Sequence, residues 1–211
     1  NQPFLLEFDG FFDSQEEINN SADHIFTTVQ PGDIRYKDQN GDNIINQLDY
    51  YPLGKSEIPE ITFSLHSGFN YKGFDLRFIL QGVSGRSVYL DGYYFEAFQN
   101  NGKISSYALN RWTPENKQNA DYPRLSSENN LNNFQPSSFW QKDGSFIKLR
   151  NLELGYNLAE SLLNSTGISY ARVFLRGMNL FSIDHIKFTD PEILQGYPAM
   201  RTLSLGFTIQ Y

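Results

Sequence analysis

Thr202-Leu203-Ser204-Leu205-Gly206-Phe207-Thr208-Ile209-Gln210-Tyr211 is the stretch that decides how the rest is read. Its odd positions, Leu203, Leu205, Phe207, Ile209 and Tyr211, are all apolar; its even positions, Thr202, Ser204, Gly206, Thr208 and Gln210, are polar or glycine. A strand points successive side chains to opposite faces, so this pattern is a β-strand with one oily side and one wet side.

Working outward, Ile61–Tyr71 repeats the pattern: Ile61, Phe63, Leu65, Phe69 and Tyr71 stand against Thr62, Ser64, His66, Gly68 and Asn70. Tyr71-Lys72-Gly73-Phe74 reads as a tight turn. Phe74, Leu76, Phe78 and Leu80, opposite Asp75, Arg77 and Gln81, then make the return strand of an antiparallel hairpin. Phe146–Leu158 alternates with a slip of phase: Ile147 and Leu149 are odd, whereas Leu152, Leu154, Tyr156 and Leu158 are even. A bulge near Arg150 and Asn151 reconciles them. Ser169–Ile183 sets Ala171, Val173, Leu175 and Gly177 against Arg172, Phe174, Arg176 and Met178. Two arginines on one face exclude an oily core on that side unless they are paired. Weaker strands are expected at Val88–Phe98 and Ile104–Trp112. Between strands lie long polar segments, Gly32–Pro59, Thr113–Ser145 and Ile183–Met200.

Composition agrees with many strands and turns. Aromatic residues make up 16% of the 211 while mean hydropathy is −0.49, and 20 Asn, 16 Gly and 9 Pro supply turn formers. An all-β chain is expected. A net charge of −7 without a basic run disfavours nucleic acid as a partner. The absence of cysteine removes disulfides, thiolate nucleophiles and Cys-ligated metal centres. No apolar run approaches the ~18–20 residues of a membrane helix, and Asn1–Gly10 lacks the basic region and apolar run of a secretory signal.

Alternation fits two architectures. In a soluble sandwich the apolar face is the core; in a membrane barrel it meets lipid while the polar face lines a lumen. Strand length favours the barrel. About 9–11 residues cross a tilted membrane strand, and the four long stretches reach that length, whereas soluble strands average about five or six. Aromatic residues near strand ends, Tyr71, Phe74, Tyr156, Phe181 and Tyr211, fit interfacial girdles. Leu203, Leu205, Phe207 and Ile209 are accordingly expected to face lipid, and the long polar segments to stand as loops at the extracellular rim.

A set of motifs in order carries a resemblance. These are Pro31-Gly32-Asp33-Ile34-Arg35-Tyr36-Lys37-Asp38-Gln39-Asn40-Gly41-Asp42; Gly73-Phe74-Asp75-Leu76 with Gln81-Gly82; Arg111-Trp112-Thr113-Pro114-Glu115-Asn116; and Tyr122-Pro123-Arg124-Leu125. Gly144-Ser145-Phe146-Ile147-Lys148-Leu149-Arg150-Asn151-Leu152-Glu153-Leu154-Gly155-Tyr156, Asn179-Leu180-Phe181, Asp190-Pro191-Glu192 and Tyr197-Pro198 follow. From about Phe11 to Tyr211 the chain resembles the C-terminal part of a SusC/RagA-type TonB-dependent outer-membrane transporter. The resemblance implies a plug domain inside an antiparallel barrel of about 22 strands, of which residues 1–211 supply six to eight. Plug and N-terminal strands would be supplied by another chain. It also implies energy from TonB, a SusD-like surface lipoprotein over the extracellular loops, contact with membrane lipid, and Tyr211 as the C-terminal assembly signal. The expected activity is import of oligosaccharides or peptides across the outer membrane of a Gram-negative bacterium. The alternatives are a soluble cell-surface β-sandwich binding carbohydrate and calcium, and a family member serving as a scaffold in an envelope complex.

Few residues suggest chemistry of their own. Asp38, Asn40, Asp42, the Ile44 carbonyl, Asn46 and Asp49 follow the spacing of a Ca²⁺-binding loop, with Asn43 where a chelating loop has glycine and Asp49 where it has bidentate Glu. A structural Ca²⁺ is the expected occupant, and the alternative is a turn held by its own Asx hydrogen bonds. His24, His66 and His185 have no metal-ligand spacing; neither Glu16-Glu17 nor Asp190 with Glu192 shows signs of forming a hydrolase pair, so no enzyme is expected. Tyr93, Tyr94, Phe95, Trp112 and Trp140 are candidate faces for solute, with an architectural role favoured for the two tryptophans. Arg172 and Arg176 are expected on the lumen, paired with plug carboxylates or lining the solute route.

Overall fold

The computed structural model describes all residues except 1, 99–101, 129, 165–166, 187–188 and 195. In chain order come β1 (Phe4–Leu5), β2 (Phe8–Phe11), the short helix α1 (Gln15–Asn19), β3 (Asp23–His24), β4 (Ile34–Tyr36), β5 (Ile44–Ile45) and β6 (Tyr51–Pro52). Next are β7 (Ile61–Tyr71), β8 (Phe74–Ser84), β9 (Ser87–Tyr89), β10 (Gln141–Asp143) and β11 (Phe146–Asn157). The helical turn α2 (Glu160–Leu163), β12 (Tyr170–Met178), β13 (Ser182–Asp184) and β14 (Thr202–Gln210) complete the series. They form two compact units: a loop unit, Asn1–Glu57 with Ser87–Asp143, and a sheet unit, Ile58–Arg86 with Gly144–Tyr211.

The sheet unit is one antiparallel sheet in the order β14-β12-β11-β8-β7, with β13 pairing the start of β11. Lys72 and Gly73 both take positive φ, 48° and 86°, making the two-residue turn whose twist suits a hairpin. The register slips between Leu149 and Asn151, so the expected bulge is present and restores the apolar phase. The row Phe69–Leu76–Leu154–Leu175–Leu205 runs unbroken across all five strands. Ser169–Ile183, expected as one strand, is two: Asn179 at φ 51° breaks it into β12 and β13.

Most of Gly32–Pro59 and Thr113–Ser145, expected as open loops, folds within the loop unit, whereas Ile183–Met200 belongs to the sheet unit. The strands of the loop unit are two to four residues long, and within it β1 pairs β6, β2 pairs β4, β3 pairs β5 and β9 pairs β10. The strands expected at Val88–Phe98 and Ile104–Trp112 reduce to β9 and a single turn of 3-10 helix at Ser106–Ala108. Aromatic packing does the work instead. Phe95, Tyr107, Tyr122 and Trp140 follow one another edge to face, with ring centroids 5.2, 5.8 and 5.8 Å apart, and Phe139 meets Trp140 at 4.8 Å. With Leu6, Phe12, Ile34 and Ile45 also buried, each such side chain contributes about 1.5–3 kcal/mol of apolar transfer.

That core closes around one carboxylate. Asp33 is fully buried. It meets the Arg124 guanidinium at 2.7 Å, accepts from Asn130 Nδ2 at 2.7 Å and Asn133 Nδ2 at 2.9 Å, and accepts from the Gln30 N–H at 2.7 Å. Asn132 and Asn133 then bond both sides of Ile34: its N–H donates to Asn133 Oδ1 and its carbonyl accepts from Asn132 Nδ2, each at 2.8 Å. Trp140 Nε1 donates to the Asn133 carbonyl at 2.8 Å. A buried charge is tolerated only when so fully satisfied.

Candidate functional site

The sheet separates its residues by chemistry. One face carries Ile61, Phe63, Leu65, Phe69 and Tyr71 of β7, Leu154 and Tyr156 of β11, Val173 and Leu175 of β12, and Leu203, Leu205, Phe207 and Ile209 of β14, all exposed. Leu205 leaves 77% of its surface uncovered. An apolar face this extensive on bare surface marks contact with a membrane or another apolar body. The girdle candidates Tyr71, Phe74, Tyr156, Phe181 and Tyr211 are exposed as well.

The other face carries the charges. Arg172 on β12 reaches across β11 to Asp75 on β8, its Nε donating to Asp75 Oδ2 at 2.9 Å and its Nη2 to Asp75 Oδ1 at 2.5 Å. Gly155 lies beneath that bridge: a Cβ there would come within 2.4 Å of both Arg172 Nη2 and Asp75 Oδ2. Glycine is therefore what lets the pair span a strand. Glu153 takes Arg172 on Oε1 at 2.7 Å and Arg176 on Oε2 at 2.7 Å. Phe174 sits between the two arginines, its ring 5.0 and 5.4 Å from their guanidinium carbons, and covers Gly206 on β14. Arg172 and Arg176 thus lie on the polar face as expected, with partners in the wall itself rather than a need for plug carboxylates.

A second ionic cluster stands at the other end of β11. Lys148 Nζ meets Asp190 Oδ1 at 2.5 Å and Glu192 Oε2 at 2.8 Å, Arg150 pairs with Glu192, and Arg150 Nε donates to Gln81 at 2.8 Å. Burial alone would raise both carboxyls. The Lys148 ammonium and the Glu192 backbone N–H instead hold Asp190 below the usual carboxylate range; Arg150 and Lys148 do the same for Glu192. The Asp190-Pro191-Glu192 motif is tied to β11 through Lys148 and Arg150.

The aromatic candidates divide. Tyr93 and Tyr94 are exposed, but Phe95 and Trp140 keep 1% of their surface and Trp112 7%. Phe95 is corrected from a solute face to core, because the Tyr122 hydroxyl donates to its carbonyl at 2.8 Å and the aromatic chain packs on its ring. Trp112 and Trp140 take the architectural alternative. His66 lies on the polar face, its Nε2 2.9 Å from Ser64 Oγ.

In the Asp38–Asp49 loop, Asn43 takes the left-handed position with φ 65°. Asp38 accepts from Gly41 N at 2.7 Å and Asn43 N at 2.8 Å, Asn40 from Asp42 N and Asp42 from Ile44 N, both at 2.9 Å. Against a desolvation that acts the other way, these N–H groups hold the Asp38 carboxyl below its usual range. Asp49 is wholly buried and accepts from Gln39 N and Asn46 N, both at 2.9 Å, while Asn46 accepts from Leu48 N at 2.7 Å. Among the described residues no three His, Asp or Glu side chains gather at metal-holding distance.

Sequence reasoning missed the Asp33 hub, whose partners lie 91 to 100 residues away. No local signal in the sequence joins Asp33 to the Asn130–Asn133 run.

A sheet with one bare apolar face, one ion-paired face and strands of 9–12 residues is a section of a transmembrane β-barrel wall. No family model matches the chain. Among curated relatives, TonB-dependent receptor P26 of Formosa agariphila is 33% identical over 98% of this chain and 22% of its own length. TonB-dependent receptor SusC of Bacteroides thetaiotaomicron is 27% identical over 86% of this chain and 18% of its own. The RagAB peptide importer in its "open-open" state superimposes with a TM-score of 0.72 at 22% identity, over 100% of this chain and 22% of that one. The chain belongs to the SusC/RagA type of TonB-dependent receptors and resides in the outer membrane of a Gram-negative bacterium. It spans about a fifth of the length of the curated relatives it matches.

Proposed function

We propose that this chain forms part of the barrel wall, together with a folded extracellular loop unit, of a TonB-dependent importer that moves oligosaccharides or peptides across the outer membrane. The observation that carries the reading is the sheet itself: a register-aligned apolar face suits acyl chains, and a polar face with its charges paired in place suits a wet interior. Such a wall does no bond chemistry. It binds, orients and passes solute, while energy reaches the transporter through TonB and a plug. A SusD-like lipoprotein over the loops belongs to the same proposal, supported by the SusC relative and by the two-component name of the RagAB importer. The exposed Tyr93 and Tyr94 of the loop unit are candidate contacts for solute or for that lipoprotein.

Deleting the gene tests the proposal. TonB-dependent uptake of labelled oligosaccharide or of labelled peptide is expected to disappear, and whichever is lost names the substrate class; unaltered uptake of both contradicts it. A structural Ca²⁺ at Asp38, Asn40, Asp42, the Ile44 carbonyl, Asn46 and Asp49 is proposed alongside, supported by their spacing and by Asn43 in the left-handed position. Chelation at low calcium is expected to lower the loop's protease resistance; unchanged resistance leaves the loop to its Asx turns.

A further inference from the structure

Among the described residues, Arg77 is the polar-face arginine with the loosest carboxylate contact. It stands on β8 with Glu153 of β11 directly across on one side and Gly68 of β7 on the other. It therefore flanks two carboxylates and is engaged closely by neither. Both Asp75 oxygens are taken by Arg172, with Asn157 of β11 also donating to Oδ2, and the two Glu153 oxygens by Arg172 and Arg176. Arg77 Nε comes only within 4.0 Å of Asp75 Oδ1, and 68% of its side chain is exposed, against 12% for Arg172. Among the described residues three guanidiniums thus share two carboxylates, and Arg77 is the one held most loosely, 4.0 Å from Asp75.

Its surroundings form a receptacle. Arg77, His66, Asn151 and Arg176 line one groove of about 700 Å³ together with Glu153, whose two oxygens are already taken by Arg172 and Arg176. Gly68 offers no side chain there; a Cβ would lie 3.6 Å from Arg77 Cγ, so the arginine lies along the floor with its head open. Arg176 keeps 49% of its side chain exposed while donating to Glu153, leaving guanidinium edge available beside Arg77. The setting is cationic in an otherwise acidic chain: the sheet unit has 9 Lys+Arg against 7 Asp+Glu, the loop unit 8 against 17. A planar guanidinium whose neighbouring carboxylates are already bonded to other arginines, beside a second guanidinium and a neutral amide, matches an oxyanion.

We propose that Arg77, flanked by Arg176, His66 and Asn151, binds an oxyanion, carboxylate or sulfate, on the solute passing along this wall, making the transporter selective for acidic oligosaccharides or acidic peptides. This rests on the transport reading and names its substrate class. The full transporter, purified in detergent, is titrated calorimetrically with tetragalacturonate and with tetraglutamate, each beside its neutral counterpart, the methyl ester and tetraglutamine. At least one anionic probe is expected to bind tenfold or more tightly than its neutral counterpart, with affinity falling as salt rises; which probe binds tells sugar from peptide. Arg77→Gln is expected to lower that affinity at least fivefold with the thermal midpoint unchanged, and Arg77→Lys to retain part of it. Equal affinity in wild type and Arg77→Gln, binding of neither anionic probe, or a lowered midpoint showing that Arg77 pairs within the transporter overturns the assignment. Uptake confined to neutral solutes would leave the transport reading standing and sink this one.

Discussion

The two units hold themselves together by opposite means. The loop unit has strands of two to four residues and a dense interior of aromatic rings around buried Asp33. The sheet unit has strands of 9–12 residues in its five-stranded path, and its largest apolar side chains point away from the protein. One stabilises by burying rings and satisfying a charge; the other by ladder hydrogen bonds and an ionic network on one face, its apolar face matched to a non-aqueous solvent. The lesson is that exposed and buried apolar residues are equally native when the solvent differs.

The largest effect that would sharpen this contrast falls on the hub. Asp33→Ala removes the acceptor of Arg124, Asn130 and Asn133 and is expected to destabilise the loop unit by about 3–5 kcal/mol. Hydrogen exchange on the detergent-extracted transporter should show lost protection near Ile34 and Trp140 but not in β11 or β12. Next comes the lipid face. Leu205→Arg is expected to cost about 2–4 kcal/mol of folding into bilayers. Ser204→Arg on the polar face should cost less than about 1 kcal/mol by the same urea titration. Equal costs would break the distinction between faces. Gly155→Val, which forces a side chain beneath the Arg172–Asp75 bridge, is expected to cost about 1–3 kcal/mol.

A smaller effect depends on pH. Burial lowers the His24 pKa, outweighing the Asn132 hydrogen bond and the acidic neighbours Asp33, Asp23 and Asp49 that act to raise it. Nδ1 lies 2.7 Å from Asn132 Oδ1, and the ring is packed against Phe12 and Tyr36. The imidazole therefore folds neutral. Above the unfolded value of 6.5 it contributes nothing pH-dependent; as pH falls below 6.5 the unfolded chain takes the proton first and the loop unit loses stability until the folded pKa is passed. Protease resistance of the loop unit should fall as pH drops below 6.5, and His24→Gln should flatten that slope.

The same contrast explains what was legible in the sequence. Period-two alternation is local, so Ile61–Tyr71, Thr202–Tyr211, the Lys72-Gly73 turn and the bulge at Arg150 could all be read directly. Asn179 was misjudged because a single left-handed residue leaves the alternation around it intact. The loop unit was illegible because its determinants are distant: Asp33 meets Asn133 100 residues away, and Tyr122 donates to the Phe95 carbonyl and packs on Trp140 without any periodic spacing. Phe95 therefore reads as a ligand contact although it is core, while the architectural reading of Trp112 and Trp140 agrees with their burial. The partners of Arg172 and Arg176 were hidden for a related reason, since Asp75 lies two strands from Arg172 and comes within reach only across Gly155.

The central claim is the opposite solvation of the two sheet faces, and the chain has no cysteine of its own to interfere with a labelling test. Single cysteines at 203 to 210 in the full transporter, spin-labelled and reconstituted in bilayers, report collision with dissolved oxygen and with a water-soluble nickel chelate. Oxygen accessibility should peak at Leu203, Leu205, Phe207 and Ile209, and nickel accessibility or shielding from oxygen should mark Ser204, Gly206, Thr208 and Gln210 in strict alternation. Odd positions shielded from oxygen, as in a packed protein core, would contradict the account.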